Sequence, residues 1–455
     1  MSDTLLERGP RADPYQKLCP HPNGLSPQQV ARHQRRRLLR ALVELVAQRG
    51  YDAATVGRLC ATAGVSKRAF YELFTGKPDC FEHAYRRLLD RIARRAADAR
   101  GERPPGRDAL CATLQSLMDD AARAPEGASF LLVHALDSAS AAIARRESAF
   151  AVIEDAVAAC LPRADRPPSP ALLRGIVAGI CAVARERLLA GEADSLPQTA
   201  DSLTQWAWRC AHAAEWGCDE RRDGAELIQL HVHRQESIAR GPRSAIRNRR
   251  DERVSARAIE LAARHGVLAL TPGALADWPG APGRRRRPLR DPDRVLLDAV
   301  EWAAGRLAAD LAAIDRPSPA GAERARPLMQ LLLRRLARDA ALSRVAFVEA
   351  LAVGPQAVAW QAGVCARAAE ELGRVCAPRG GPADPIQMQA SVGAVWGLVE
   401  RHVWLGATAR LPRLLAPAQL FLSVALGGAA AKSDAGPTRL PIEPPEVEVA
   451  RAEAC

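Results

Sequence analysis

Aromatic residues are scarce in this chain. Phe, Trp and Tyr make up 4% of its 455 residues, although 48% are hydrophobic. Leu, Ala and Val must therefore fill the core, which suits helices packed on helices. Paired cysteine spacing is absent. The eleven cysteines are odd in number, and Cys60, Cys80, Cys111 and Cys181 sit inside apolar helical patterns, where a free thiol packs as a small hydrophobe. With no apolar leader in the polar stretch Met1–Pro14, the expectation is a reducing, cytoplasmic setting. Also missing are a Gly-rich phosphate loop between strand and helix, an H-E-x-x-H pair and a G-x-S-x-G elbow, while Asp and Glu are spread over helix surfaces. No enzyme activity and no cofactor are expected. Cys210, His212, Cys218, His231 and His233 gather loosely, without the tight paired spacing of a metal site, and no metal is expected. One charge-free run, Leu414–Ala431, is broken by Pro417, Gly427 and Gly428. It reads as a buried terminal helix rather than a membrane span.

What the chain has in excess is positive charge, +12 at neutral pH, nearly all of it Arg. Such an excess favours polyanionic partners, although Arg- and Ala-rich usage also follows from a GC-rich genome. The second presence is repetition. At an offset of 216 positions, Gly50 falls on Gly266, and Arg37, Glu44, Leu45, Thr55, Leu59 and Gly64 meet the same residue types at Arg253, Glu260, Leu261, Thr271, Leu275 and Gly280. At 215 the match returns, with Val133, Ala135 and Leu136 on Val348, Ala350 and Leu351, and Gly191, Leu196 and Pro197 on Gly406, Leu411 and Pro412. A period this long describes a tandem domain rather than a solenoid.

Helical spacing of Leu38, Leu42, Leu45 and Val46 is closed by Gly50. Thr55 then caps a short helix to Ala63, with Val56, Leu59 and Cys60 facing inward. Gly64 turns the chain, and Ser66 caps a third helix to Phe74. Lys77-Pro78-Asp79 opens a fourth. This is helix-turn-helix logic: small Ala61 and Ala63 at the crossing, a glycine in the turn, an apolar underside of Val65, Phe70 and Phe74, and an upper face of Lys67, Arg68 and Tyr71. A plain helical hairpin with Tyr71 and Phe74 as core aromatics is the alternative.

The string A-G-V-S-x-x-x-F-Y-x-x-F at 63–74, followed by G-K-P-D-x-F at 76–81, resembles the DNA-binding domain of the tetracycline-repressor family of transcription regulators. The resemblance is sharp over 32–92 and covers 107–211 only in architecture. It implies that Lys67, Arg68 and Ala69 face base edges of double-stranded operator DNA after the cap Ser66, and that Tyr71 and Lys77 hold phosphates with Thr55 as a further backbone contact. Ala69 stands where the family usually has Thr, and Leu73 where a polar or aromatic residue is common. Family members also pair through their last two helices. Gly175, Ala178, Gly179 and Ala182 line one face of a helix over 171–190, and Gly393 and Gly397 occupy the matching positions of a second, so close backbone approach within one chain is expected.

The fold expected is therefore all-α: two tandem copies of a helix-turn-helix head plus a helical-bundle ligand and dimerisation domain, the second head degenerate. A loose tail spans 1–30 and the first head 31–92. The first helical body spans 100–211 and a linker 212–250. The degenerate head spans 251–312, the second body 320–428 and a disordered tail 429–455. Pro279, Pro282, Gly283 and Pro288 leave no stable recognition helix in the second copy, and Arg284–Arg287 is either a solvated loop or a sequence-blind phosphate grip. Phe130, His134, Phe150 and Trp206 are candidates to line an apolar effector pocket, with core packing as the competing role. Phe347, Trp360, Trp396, His402 and Trp404 sit in comparable regions of the second copy. The reading is a sequence-specific regulator, expected to be a repressor released by a small apolar effector. It forms an intrachain pseudo-dimer, open to further self-association, and does not touch the membrane. The alternative is a sensor or interaction protein that binds DNA weakly.

Overall fold

The computed structural model describes residues 26–135, 142–162, 168–213, 250–271, 274, 292–312, 322–376 and 383–427, and among these there is helix and no strand. The tails before 26 and after 427, the connector over 214–249 with Cys218, His231 and His233, and the Pro-rich string over 275–291 lie outside the described residues.

The first helix begins earlier than apolar spacing alone indicates. α1 runs Pro27–Arg49, and Ser26 starts it with a reciprocal cap: its hydroxyl accepts from Gln29 N while the Gln29 side chain accepts from Ser26 N. Residues 27–30 therefore belong to helix and not to a tail; the S-x-x-Q spacing is the local cause. α2 (Val56–Ala63), α3 (Lys67–Leu73) and α4 (Lys77–Arg100) complete a four-helix head. Its core is Leu38, Leu42, Leu59, Phe70, Phe81 and Tyr85, and it continues without a break into Phe130 and Leu131. Thus the head is not a free module. Phe130 sits on α6 (Pro125–Leu132) with its ring 4.4 Å from that of Phe81.

The body of the first half comprises α5 (Arg107–Arg123), α6, α7 (Ala142–Ala158), α8 (Pro170–Leu189) and α9 (Ala200–His212). The second half holds α10 (Arg250–His265), α11 (Pro292–Ala312), α12 (Ala322–Arg338), α13 (Ala340–Arg344), α14 (Pro355–Val375), α15 (Pro385–Trp404) and α16 (Leu415–Ala425). Element ends recur at a fixed spacing. α5 and α12 begin and end 215 residues apart, as do α8 and α15, and these last two are followed by matching short helical segments, 193–199 and 408–414. Gly50 and Gly266 close α1 and α10 with nearly the same backbone, φ 79° ψ 166° and φ 81° ψ 166°.

The two halves meet through α8, α9, α15 and α16. A Cβ placed on Gly393 would overlap that of Ala182, one on Gly397 that of Ala178, and one on Gly179 the carbonyl of Ala390 and the indole of Trp206. Absence of side chain at these positions sets the approach of the two long helices. Trp206 and Phe421, 215 positions apart, pack with ring centroids 5.8 Å apart. The Trp206 indole N–H donates to Ser391 Oγ at 2.9 Å, and Ser391 in turn donates to the Phe421 carbonyl at 2.7 Å. Toward the helix starts, Ser202 donates to Asp384 at 2.8 Å and Gln387 to Gln205 at 3.1 Å. One continuous apolar core runs through both halves. α16 is short and buried, and among the described residues no helix is long and apolar enough to cross a membrane.

Candidate nucleic-acid interface

The site is built by caps and a turn. Thr55, in extended backbone, accepts from Arg58 N at 3.3 Å and starts α2. Gly64 takes φ 60° ψ 38°, a left-handed conformation costly for other residues, and its N–H closes on the Ala61 carbonyl. Ser66 then accepts from Ala69 N at 3.1 Å and starts α3. Seven residues suffice for α3 because its underside is anchored. Phe70 is fully buried, Val65 and Phe74 nearly so, and the Phe70 and Phe74 rings lie 5.6 Å apart. A Ser66→Ala change is expected to lower head stability by about 1 kcal/mol. Thermal unfolding followed on the head's helical signal would register this loss, and no change would remove Ser66 from the role of cap.

The opposite face of α3 is open. Lys67 and Arg68 are exposed and Ala69 is half-buried against the head core. Arg68 is tied only to Glu72, at 3.0 Å, on a pair that solvent screens. Tyr71 is 60% exposed, edge-on to Phe70 at 5.2 Å. Its phenol therefore projects from the helix, and the hairpin reading with Tyr71 in the core is set aside. Lys77 is half-buried at the start of α4. Its ammonium lies 3.7 Å from the Tyr51 ring centroid and donates to the Tyr51 carbonyl at 3.0 Å. Burial lowers its pKa, against the pull of Asp52. Thr55, Ser66, Lys67, Arg68, Ala69, Tyr71 and Lys77 are thus carried on one compact head, with Lys77 held by an aromatic clamp the sequence reading did not anticipate.

Two further residues were missed. Arg35 donates to the Leu73 carbonyl at 3.3 Å with its guanidinium 5.4 Å from the Phe74 centroid, and Arg37 donates to the Gly64 carbonyl at 3.4 Å. Both tie α1 to the recognition segment. Their signal in the sequence was three consecutive arginines directly before the apolar run that begins at Leu38.

The pocket candidates separate. Phe130 fills the joint between head and body, and Trp206 fills the bundle between the two halves. His134 is buried just past the end of α6, its N–H bonded to the Ser129 carbonyl. Phe150 faces a cleft. The physical reason is that a buried aromatic packs wherever the nearest apolar surface lies, and Phe130 finds Phe81 across 49 positions of sequence. Among the described residues no cluster of His, Cys, Asp or Glu is arranged to hold a metal ion, and Cys210 is buried in α9.

No curated protein matches the chain. Residues 38–84, which span α2, α3 and the turn between them, match the profile described as bacterial regulatory proteins, tetR family. With the recognition face exposed and its underside locked, residues 38–84 form a DNA-binding head of the tetR family, and the chain is a DNA-binding transcriptional regulator.

Proposed function

We propose that this regulator is a sequence-specific repressor released by a small-molecule effector, working as a single-chain pseudo-dimer with one reading head. The observation that carries it is the two-faced α3: Phe70 fully buried while Tyr71 next to it is 60% exposed. In this reading Lys67, Arg68 and Ala69 address base edges, and Tyr71, Thr55 and the free N–H groups of Lys77 hold phosphates. The recurring helix ends and the paired glycine turns support a duplicated domain, and the second head's Pro-rich string leaves it without base contacts. Coupling to an effector has a route in contact. Tyr85 of α4 donates to the Arg145 carbonyl at 2.8 Å, the Arg145 guanidinium lies 5.0 Å from the Phe81 centroid, and Arg145 donates to the Ala135 carbonyl at 3.1 Å. A ligand acts only through its differential affinity for two arrangements of head and body.

The test is selection of bound sequences from a random DNA pool at near-physiological salt. A single short asymmetric motif is expected, from one head per chain. A palindrome of the same motif would mean that two chains assemble, and the absence of any enriched motif would favour an interaction protein with weak DNA binding. The double variant Tyr71→Phe/Lys77→Met is expected to bind the selected site about tenfold more weakly, with the salt slope reduced by about 1 or more. Unchanged affinity would remove both residues from the interface.

A further inference from the structure

Between the halves, α7 and α8 on one side and α14 and α15 on the other leave a cleft of about 430 Å³, its open side included. A second of about 440 Å³ shares Arg146, Phe150, Arg185 and Gln361 with it. The cleft is a slit. It admits water-sized groups as it stands, and a larger ligand must part its walls.

The polar atoms facing this slit are unusually incomplete. Arg146 is ion-paired with Glu400 and lies over the rings of Phe150 and Trp404, at 5.5 and 5.1 Å. Arg185 is only 7% exposed, its Nε has no hydrogen-bond partner among the described residues, and the carboxylate that attracts it, Glu400, is already ion-paired with Arg146. Among the described residues Gln361, 3% exposed, has an unpartnered Oε1, the Trp396 indole N–H has no acceptor, and Glu400 Oε1 has no donor. Buried polar groups are ordinarily satisfied, and a buried cation without a counterion is costly. Arg146 and Arg185 share the single carboxylate of Glu400, and Glu186 at the cleft has beside it Arg187, which is itself ion-paired with Glu192.

We infer that this cleft between the halves binds a small planar organic anion. Its carboxylate is held by Arg185, its ring lies between Phe150 and Trp396, and a second, donating group faces Gln361 Oε1 and Glu400 Oε1. The inference rests on the effector reading above and refines it: the ligand is an acid, not an uncharged apolar molecule. A guanidinium and an indole N–H supply donors to an anion, and the two free oxygens supply acceptors to a hydroxyl or amide. Because α8 and α15 both line the slit, a ligand that widens it moves one half against the other. Arg146 is also the chain neighbour of Arg145, which touches the head.

Calorimetric titration with 4-hydroxybenzoate and with its uncharged counterpart 4-hydroxybenzamide tests this, with tryptophan fluorescence as a second readout. The anion is expected to bind at least tenfold tighter than the amide. Arg185→Met should abolish that preference while Arg146 keeps its pair with Glu400. Arg185→Lys should keep part of the preference and serves if the Met variant does not fold. Equal affinity for anion and amide, no binding of either at millimolar concentration, or a preference that survives in Arg185→Met would each overturn the proposal. Operator binding measured in the same samples separates the two readings. Anion binding that depends on Arg185 but leaves operator occupancy unchanged supports this site and sinks the effector role. Operator release that ignores Arg185 sinks this site and leaves the effector role standing.

Discussion

Replacing Trp206 by Ala is expected to cost about 3–5 kcal/mol, the range for deleting a fully buried large aromatic, and to weaken both halves of the molecule together. The indole touches Phe421, donates to Ser391 and covers Gly179, so one side chain serves α8, α9, α15 and α16 at once. Relaxation around the void is restricted, because Gly179, Gly393 and Gly397 already hold the backbones as close as they go. The loss should appear in denaturant unfolding as a lower midpoint with one transition and little change in slope. Two separated transitions in the wild type, or a loss below about 1 kcal/mol, would show that the halves are stable apart. A companion change, Gly179→Leu, attacks the same place by overpacking. The Ala390 carbonyl in its way is backbone and cannot rotate aside, so a loss at or above the usual range of about 1–3 kcal/mol is expected.

The second large effect is local. Phe70→Ala removes the ring that holds α3 against α1, again at about 3–5 kcal/mol. The cost falls first on the head, whose core joins the body through Phe81, Tyr85, Phe130 and Leu131. Specific DNA binding should vanish although Phe70 reaches no DNA, and α3 should lose its protection from hydrogen exchange well before the bundle does. Tyr71→Ala is the reverse case. An exposed ring contributes little to stability, within about 0.5 kcal/mol, but its loss should weaken operator binding. Hydrogen exchange resolved along the chain distinguishes the two. If Phe70→Ala leaves α3 protected, the anchoring argument is wrong.

The head was legible because its determinants are local. Thr55 and Ser66 cap the helices that follow them, Gly64 supplies the left-handed turn, and Val65, Phe70 and Phe74 fall on one side at helical spacing. The pairing face was legible for a related reason: small residues four apart at Ala178, Ala182, Gly393 and Gly397 record how near another backbone comes. The pocket was not. Whether Phe130 or Phe150 faces open space depends on what lies across from it, and that is decided by α4 in one case and by the second half in the other. Arg185 left a trace that went unread. It stands three residues beyond Ala182 on the same small-residue helix, where a charge is out of place unless something meets it. Lys77 was read as a phosphate ligand from its motif, while its seat on Tyr51 is a contact across 26 positions that no motif spells out.

The four helices that join the halves all lie on one polypeptide. A bundle assembled from two chains comes apart on dilution, because its stability includes the cost of bringing separate molecules together. Here each half meets the other at an effective concentration set by the connecting chain and not by how many copies are present. The melting midpoint should therefore be independent of protein concentration, and a few molecules would be as fully assembled as a concentrated solution. Occupancy of a DNA site would then rise in simple proportion to the number of molecules at low occupancy, without the sigmoidal onset that coupled dimerisation imposes.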